Sequence, residues 1–225
     1  MSTEVPASSP ATTLREGAVA LGLPLSDAQV EGLLRYLTLI QKWNRVYNLT
    51  SLRDATSIVT HHLLDSLAIL PSLRQRLHGP VKALDVGSGA GLPGIVLGLM
   101  NPGWAVTCVD AVGKKASFIQ QAAVELRLPN VKALHTRVED YSGPPQDLAV
   151  SRAFATLAAF CAMTRNVVAS DGRWAAMKGK LPVAEMAELP AFVRVFHVEH
   201  INVPALNAER CLVWMEKNSD APEPA

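Results

Sequence analysis

The chain has 225 residues, enough for one compact α/β domain with an extension and too few for two full domains. Its 21 basic and 20 acidic residues leave a formal charge of +1, so bulk electrostatics do not announce a nucleic-acid binder and any polyanion must be met by a local patch. With 49% hydrophobic and 18% charged residues, most of the chain is expected to fold, while residues 1–13 and 218–225 read as disordered tails. No apolar run approaches the roughly 20 residues of a membrane span, and the N-terminus lacks the basic and apolar regions of a signal peptide, which points to a cytoplasmic protein with no membrane partner. Cys108, Cys161 and Cys211 are widely separated and odd in number. That pattern suits reduced thiols in core segments rather than disulfides or a zinc site, and no metal is expected.

Residues 14–79 read as an N-terminal helical extension. Ser26 with Gln29 forms a capping-box signature, and Leu33, Leu34, Leu37, Ile40 and Trp43 then recur at helical spacing, which predicts a long amphipathic helix. A further helix is expected from His61 to Leu70, ended by Pro71. Across 80–217 the texture changes. Short apolar runs, VKALDV, WAVTCVD, VKALHT and DLAVSR, alternate with helix-length segments, as parallel strands joined by right-handed crossovers require. FVRVFHVE and RCLVWMEK read as a late strand pair.

The most informative junction is DVGSGAG, Asp85 to Gly91, between the strand VKALDV and the helical LPGIVLGLM. A turn there lies at the carboxyl edge of the sheet, where open α/β folds bind ligands. Glycines without Cβ atoms can take positive φ and let a ligand touch the backbone, while free N–H groups point outward at the helix start. Gly87, Ser88, Gly89 and Gly91 are therefore the candidate cradle. Asp110, about twenty residues on and at the end of the second strand, is placed to accept hydrogen bonds from ribose hydroxyls. The expected ligand is a nucleoside-containing cofactor. The spacing is D-x-G-x-G-x-G rather than the G-x-G-x-x-G of dinucleotide sites, and no G-K-[ST] follows, which excludes a P-loop. Val138 and Glu139, in HTRVEDY after the third strand, stand where an adenine base is met, although Glu139 by position alone could equally be a solvated loop acid.

QKWNRVYNLTSLRD, HHLLDSLAILP, DVGSGAGLPGI, VDAVGKKASFI, TRVEDY, VSRAFATL and MKGKLP occur in the order and spacing of the glucose-inhibited division protein B family, which the chain resembles from about Leu14 to about Lys217. The resemblance implies a class I S-adenosylmethionine-dependent methyltransferase. Its fold would be a Rossmann-like, doubly wound sheet of about seven strands with an antiparallel final strand and the N-terminal helical extension. The implied activity is 7-methylguanosine formation in 16S ribosomal RNA, on naked RNA or the 30S particle, by a monomer. Carried over by residue, it implies that Gly87, Leu92, Val138, Glu139 and Arg152 contact S-adenosylmethionine and that Asp110 binds its ribose. Two departures stand out: many relatives have Arg-His where this chain has His61-His62, and Asp-Ser-Leu-Gly-Lys where it has Asp110-Ala111-Val112-Gly113-Lys114. Two other functions fit a nucleoside site, a nucleotide-dependent oxidoreductase and an RNA-binding assembly factor with a vestigial cofactor site.

The chemistry agrees with what the chain lacks. Methylation of exocyclic amines usually calls for [DN]-P-P-[FYW] after the fourth strand, where SRAF stands, and Cys161 in AAFCAMT reads as a helix core residue rather than a nucleophile for pyrimidine C5. Guanine N7 needs neither, because its lone pair carries no proton. Arg152 is the candidate catalytic residue, able to bind cofactor, hold a phosphate or pair bidentately with guanine O6. Arg53, His62, Lys114, Lys115, Lys178 and Lys180 are the candidate RNA contacts, each on a loop or element end and each, taken singly, also readable as a solvated surface charge. Asp65 stands four residues after His61, where it could orient the histidine. Asn44 and Asn48 could be interhelical contacts or pocket residues. FHVEH resembles a ligand cluster, but on a strand His197 and Glu199 share a face while His200 points away.

Overall fold

The computed structural model describes residues 9–219. Helix α1, Pro10–Ala20, is capped by the Ser9 side chain and carries proline in its first turn, so it begins inside the stretch expected to be a tail. The proline's missing N–H is one the helix start leaves unpaired anyway, and its φ is already helical. The rest of that tail and residues 220–225 lie outside the described residues. Helix α2, Asp27–Tyr47, starts with the expected capping box between Ser26 and Gln29 and stops at Asn48, which takes the left-handed conformation with φ 48°. Its buried stripe runs through Val30, Leu33, Tyr36, Leu37, Ile40 and Asn44, while Leu34 and Trp43 are only partly covered.

The next helical segment differs from expectation. It begins at α3, Ala55–Ile58, widens into a π turn at Val59–Leu64 and closes with α4, Asp65–Leu67. Pro71 then sits in the first turn of α5, Leu70–Arg76, and starts a helix rather than ending one. The π turn holds His61 and His62, and such widened turns gather at functional sites.

Beyond residue 80 the alternation is as read. The elements are β1 (Lys82–Val86), α6 (Gly94–Met100), β2 (Ala105–Asp110), α7 (Gly113–Glu125), β3 (Val131–His135), β4 (Gln146–Arg152), α8 (Leu157–Thr164), β5 (Val168–Lys178), α9 (Val183–Ala187), β6 (Val193–His200) and β7 (Cys211–Lys217). They form one seven-stranded sheet in the order β3-β2-β1-β4-β5-β7-β6, with the first five strands parallel and β7 antiparallel to both neighbours. The strand order reverses between β1 and β4. There the loops leaving the two carboxyl ends diverge to opposite faces and leave a crevice, so the DVGSGAG turn and Arg152 flank the same opening.

Apolar clusters cover both faces. One joins α2 and the 55–73 helices to α6, α7 and Trp214; the other joins α8 to Leu84, Val86, Trp174 and Met215. Each such side chain contributes about 1.5–3 kcal/mol when fully buried. The extension is therefore part of the core on one face of the sheet. Trp43 meets Phe118 of α7 edge to face, with ring centres 5.4 Å apart. All three cysteines are free and buried.

Candidate active site

The three loop glycines all have positive φ, +67° at Gly87, +59° at Gly89 and +82° at Gly91, for different reasons. A Cβ on Gly87 would collide with the Phe154 ring, and one on Gly91 would lie 2.7 Å from the Ile95 side chain and 3.2 Å from the Tyr36 hydroxyl. At Gly89 the nearest neighbour would be the Gly87 carbonyl, 4.0 Å away. Packing thus requires glycine at two positions, and only Gly89 is bare toward open space.

Two acids brace this loop. Asp110, at the end of β2, accepts the Gly89 N–H at 2.9 Å through one carboxylate oxygen and the Val112 N–H at 2.8 Å through the other. A carboxylate offers about four acceptor sites, so ribose hydroxyls remain within its capacity. Asp85 is fully buried; its Oδ2 accepts the Gly94 N–H at 2.9 Å and its Oδ1 has no hydrogen-bond partner among the described residues. Burial pushes its pKa up to about 6, against the opposing pull of the Gly94 hydrogen bond.

The opposite wall is polar. A cavity of about 510 Å³ is bounded by the glycine loop, the 49–52 loop, the π turn and the ends of β4 and β5. The buried Asn44 amide shapes the 49–52 loop, donating to Leu52 O at 3.0 Å and accepting the Thr50 N–H at 2.9 Å, and Thr50 Oγ1 lies 2.8 Å from His62 Nε2. Arg152 NH1 donates to His61 O at 2.9 Å and to Asp65 Oδ2 at 3.2 Å, and lies 3.4 Å from His62 Nδ1. Asp65 therefore pairs with arginine rather than orienting His61, whose Nδ1 is 3.1 Å from Ser57 O. The second Asp65 oxygen receives Arg210 Nε at 2.8 Å. Burial, reinforced by the Arg152 charge, lowers the His62 pKa to about 4, so the ring is neutral at pH 7. Past Arg152 the backbone turns sharply at Ala153, a non-glycine residue with φ 52°.

Of the residues singled out from sequence, Gly87, Ser88, Gly89, Leu92, His62, Arg152 and Lys178 come together on this cavity. Asp110 stands behind the loop, Gly91 and Val138 are packed inside, and Glu139 is exposed on a short 3-10 turn, Val138–Asp140. Lys178 is already engaged, with Glu185 at 2.8 Å and the Ala155 carbonyl at 2.8 Å. Lys180 and Arg53 are exposed, the latter with NH2 3.5 Å from Asn48 Oδ1. Lys114 and Lys115 occupy the first turn of α7, where positive charge opposes the helix dipole. His197 Nε2 and Glu199 Oε1 lie 3.9 Å apart on one face of β6, and no group of potential metal ligands occurs among the described residues.

Sequence reading missed Tyr36, Thr50 and Arg210. Arg210 had a usable signal: it immediately precedes an antiparallel strand, whose start falls at the same sheet edge as the carboxyl ends of its parallel neighbours. The pairing of Cys211 with Lys178 puts it there.

Known proteins share the fold that carries this site. Solved structures of similar fold include a SAM dependent methyltransferase from Aquifex aeolicus, with TM-score 0.57, 18% identity and coverage of 75% of this chain and 96% of that one. TrmN from Thermus thermophilus matches with TM-score 0.54 and 17% identity over 71% of this chain and 53% of its own. These likenesses establish a class I methyltransferase fold. Among sequences, the Ribosomal RNA small subunit methyltransferase G of Acidovorax ebreus is 54% identical, covering 90% of this chain and 93% of that protein. That of Leptothrix cholodnii is 52% identical, covering 93% and 96%. The family model for rRNA small subunit methyltransferase G matches residues 29–213, and the chain belongs to that family.

Proposed function

We propose that this protein methylates N7 of a guanine in 16S ribosomal RNA with S-adenosylmethionine as donor, acting in the cytoplasm on naked RNA or on the 30S particle. The observation that carries the reading is the match to rRNA small subunit methyltransferase G over residues 29–213. The bare backbone at Gly89 fits the cofactor, since it leaves ligand-sized space where a side chain would otherwise stand. Gly87, Ser88, Gly89 and Leu92 would hold it, with Asp110 on the ribose and Val138 and Glu139 beside the adenine. When bound, it supplies a methyl group activated by its sulfonium.

The protein's own groups then have a limited task. Guanine N7 presents a lone pair without a proton, so no general base is required; alignment and exclusion of water suffice. The thiols suit no nucleophilic role, because burial raises the pKa of all three and pushes that of Cys161 up to about 12. Arg152, fixed by His61 O and Asp65, would orient the base or its phosphate. Lys114, Lys180 and Arg53, exposed, and the half-buried Lys115 supply positive charge for the RNA backbone.

The test is methyl transfer from labelled S-adenosylmethionine to unmodified 16S rRNA and 30S particles, followed by nucleoside analysis. Label in 7-methylguanosine is the expected result, and label in any other nucleoside, or none on either substrate, overturns the proposal.

A further inference from the structure

We infer that Arg210 is a substrate-binding residue, forming with Arg152 a two-guanidinium seat for an RNA phosphodiester beside the target guanine, with Asp65 as the carboxylate that holds both. The inference rests on the rRNA methylation reading and adds to it a residue and a ligand. Asp65, 3% exposed at its side chain, gives one oxygen to each guanidinium, Oδ2 to Arg152 and Oδ1 to Arg210. One arginine would neutralise that carboxylate; the second leaves an unneutralised positive charge on the cavity wall. Lys178 does not alter the balance, because Glu185 pairs with it, and His62 is neutral at pH 7.

Hydrogen-bond bookkeeping points the same way. A guanidinium carries five N–H donors. Every bond of Arg152 uses NH1, and those of Arg210 use Nε and NH1, so NH2 of both residues and Nε of Arg152 have no partner among the described residues. Both residues line the cavity, and their side chains remain 22% and 25% exposed. Two adjacent forks with spare donors and one surplus charge match the oxygens of a phosphodiester or a carboxylate.

Topology separates those two sources. Arg210 enters β7, which lies beyond β4 and β5 from β1, about 14 Å away at the usual strand spacing. The glycine loop at the end of β1 holds the cofactor end of the crevice. Both arginines share the cavity with that loop, but Arg210 stands on the side away from β1 and Asp110, which favours the RNA as the source of the anion, and the test reads the two ligands separately.

The experiment compares wild type with Arg210→Ala and Arg210→Lys, measuring S-adenosylmethionine affinity by calorimetry and binding of unmodified 16S rRNA, naked or in 30S particles, across a salt series. Loss of one phosphate contact should flatten the slope of log affinity against log salt by about 0.7 and weaken RNA binding roughly tenfold at low salt. Cofactor affinity should stay within about twofold in both variants, and Arg210→Lys, which keeps the charge and leaves Asp65 paired, should restore the slope. Should Arg210→Ala fail to fold, Arg210→Gln, which removes the charge and keeps a donor for Asp65, carries the same comparison. A drop in cofactor affinity with an unchanged RNA slope would make this a cofactor-carboxylate seat and overturn the inference. So would wild-type behaviour of a folded variant in both assays. Wild-type protein that methylates no rRNA would instead overturn the function on which the inference rests.

Discussion

The hydroxyl of Tyr36, on the N-terminal helix α2, donates to the carbonyl of Ala90, between the last two glycines of the DVGSGAG loop. Tyr36 is fully buried and stacks on Phe118 with ring centres 6.4 Å apart. Burial, with Cys108 nearby, drives its pKa well above the ordinary value, so the hydroxyl remains a donor throughout the neutral range. The extension thus grips the loop directly. Tyr36→Phe keeps the ring and strands a buried carbonyl, which should cost about 1–3 kcal/mol in a denaturant titration and weaken S-adenosylmethionine in calorimetry. Unchanged cofactor affinity would reduce the contact to packing.

Gly89 and Gly91 make a matched pair for the loop. Gly89→Val puts a β-branched residue at φ +59° where a Cβ meets no steric obstacle, so the penalty is backbone strain of about 1–3 kcal/mol together with loss of cofactor space. Gly91→Ala drives a Cβ against Ile95 and Tyr36, so it should lower stability by at least about 1–3 kcal/mol. Thermal melts and calorimetry separate them: Gly89→Val should show the larger loss of cofactor affinity and Gly91→Ala the larger loss of stability. The reverse order would assign the cradle to Gly91.

These contrasts mark where sequence reading ends. The alternation of apolar runs specified a parallel sheet, and DVGSGAG placed its ligand edge, because strand periodicity and glycine punctuation are local properties. The capping box at Ser26 was legible for the same reason. Pro71 misled because proline is compatible with both a helix boundary and a helix start. The partnership of Asp65 with Arg152 and Arg210 was invisible, since it joins three distant segments through a sheet order that no local window contains. The separate roles of the glycines were hidden likewise, because Phe154, Ile95 and Tyr36 reach them only in the folded chain.

Arg152 is held through NH1 by a helix carbonyl and a buried carboxylate, and the residue lines the cavity. Arg152→Lys preserves one positive charge and loses the planar fork. The variant should fold and retain most cofactor affinity while its turnover falls about a hundredfold, because a small misplacement of an in-line acceptor has that effect. Equal losses in cofactor binding and turnover would assign the residue to the cofactor. Wild-type turnover would leave it only a structural ion pair.

His62 and Asp85 pull stability in opposite directions over nearly the same pH range. The His62 pKa falls from 6.5 unfolded to about 4 folded, so the unfolded chain binds the extra proton between those values and this contribution, present above pH 6.5, is lost as pH falls through about 4. Asp85 rises from 3.8 to about 6, so the folded chain holds the extra proton, and its contribution, present below pH 3.8, is lost as pH rises through about 6. Each spans roughly 3 kcal/mol, and together they should leave the wild type with a nearly flat profile between pH 4 and 6 from these two groups. His62→Gln removes the rising term and should make stability fall with pH across that window, whereas Asp85→Asn removes the falling term and should make it climb. Denaturant midpoints at pH 4, 5, 6 and 7 for the two variants, each relative to wild type, decide the matter. Parallel profiles in all three proteins would mean that neither group titrates differently in the folded state.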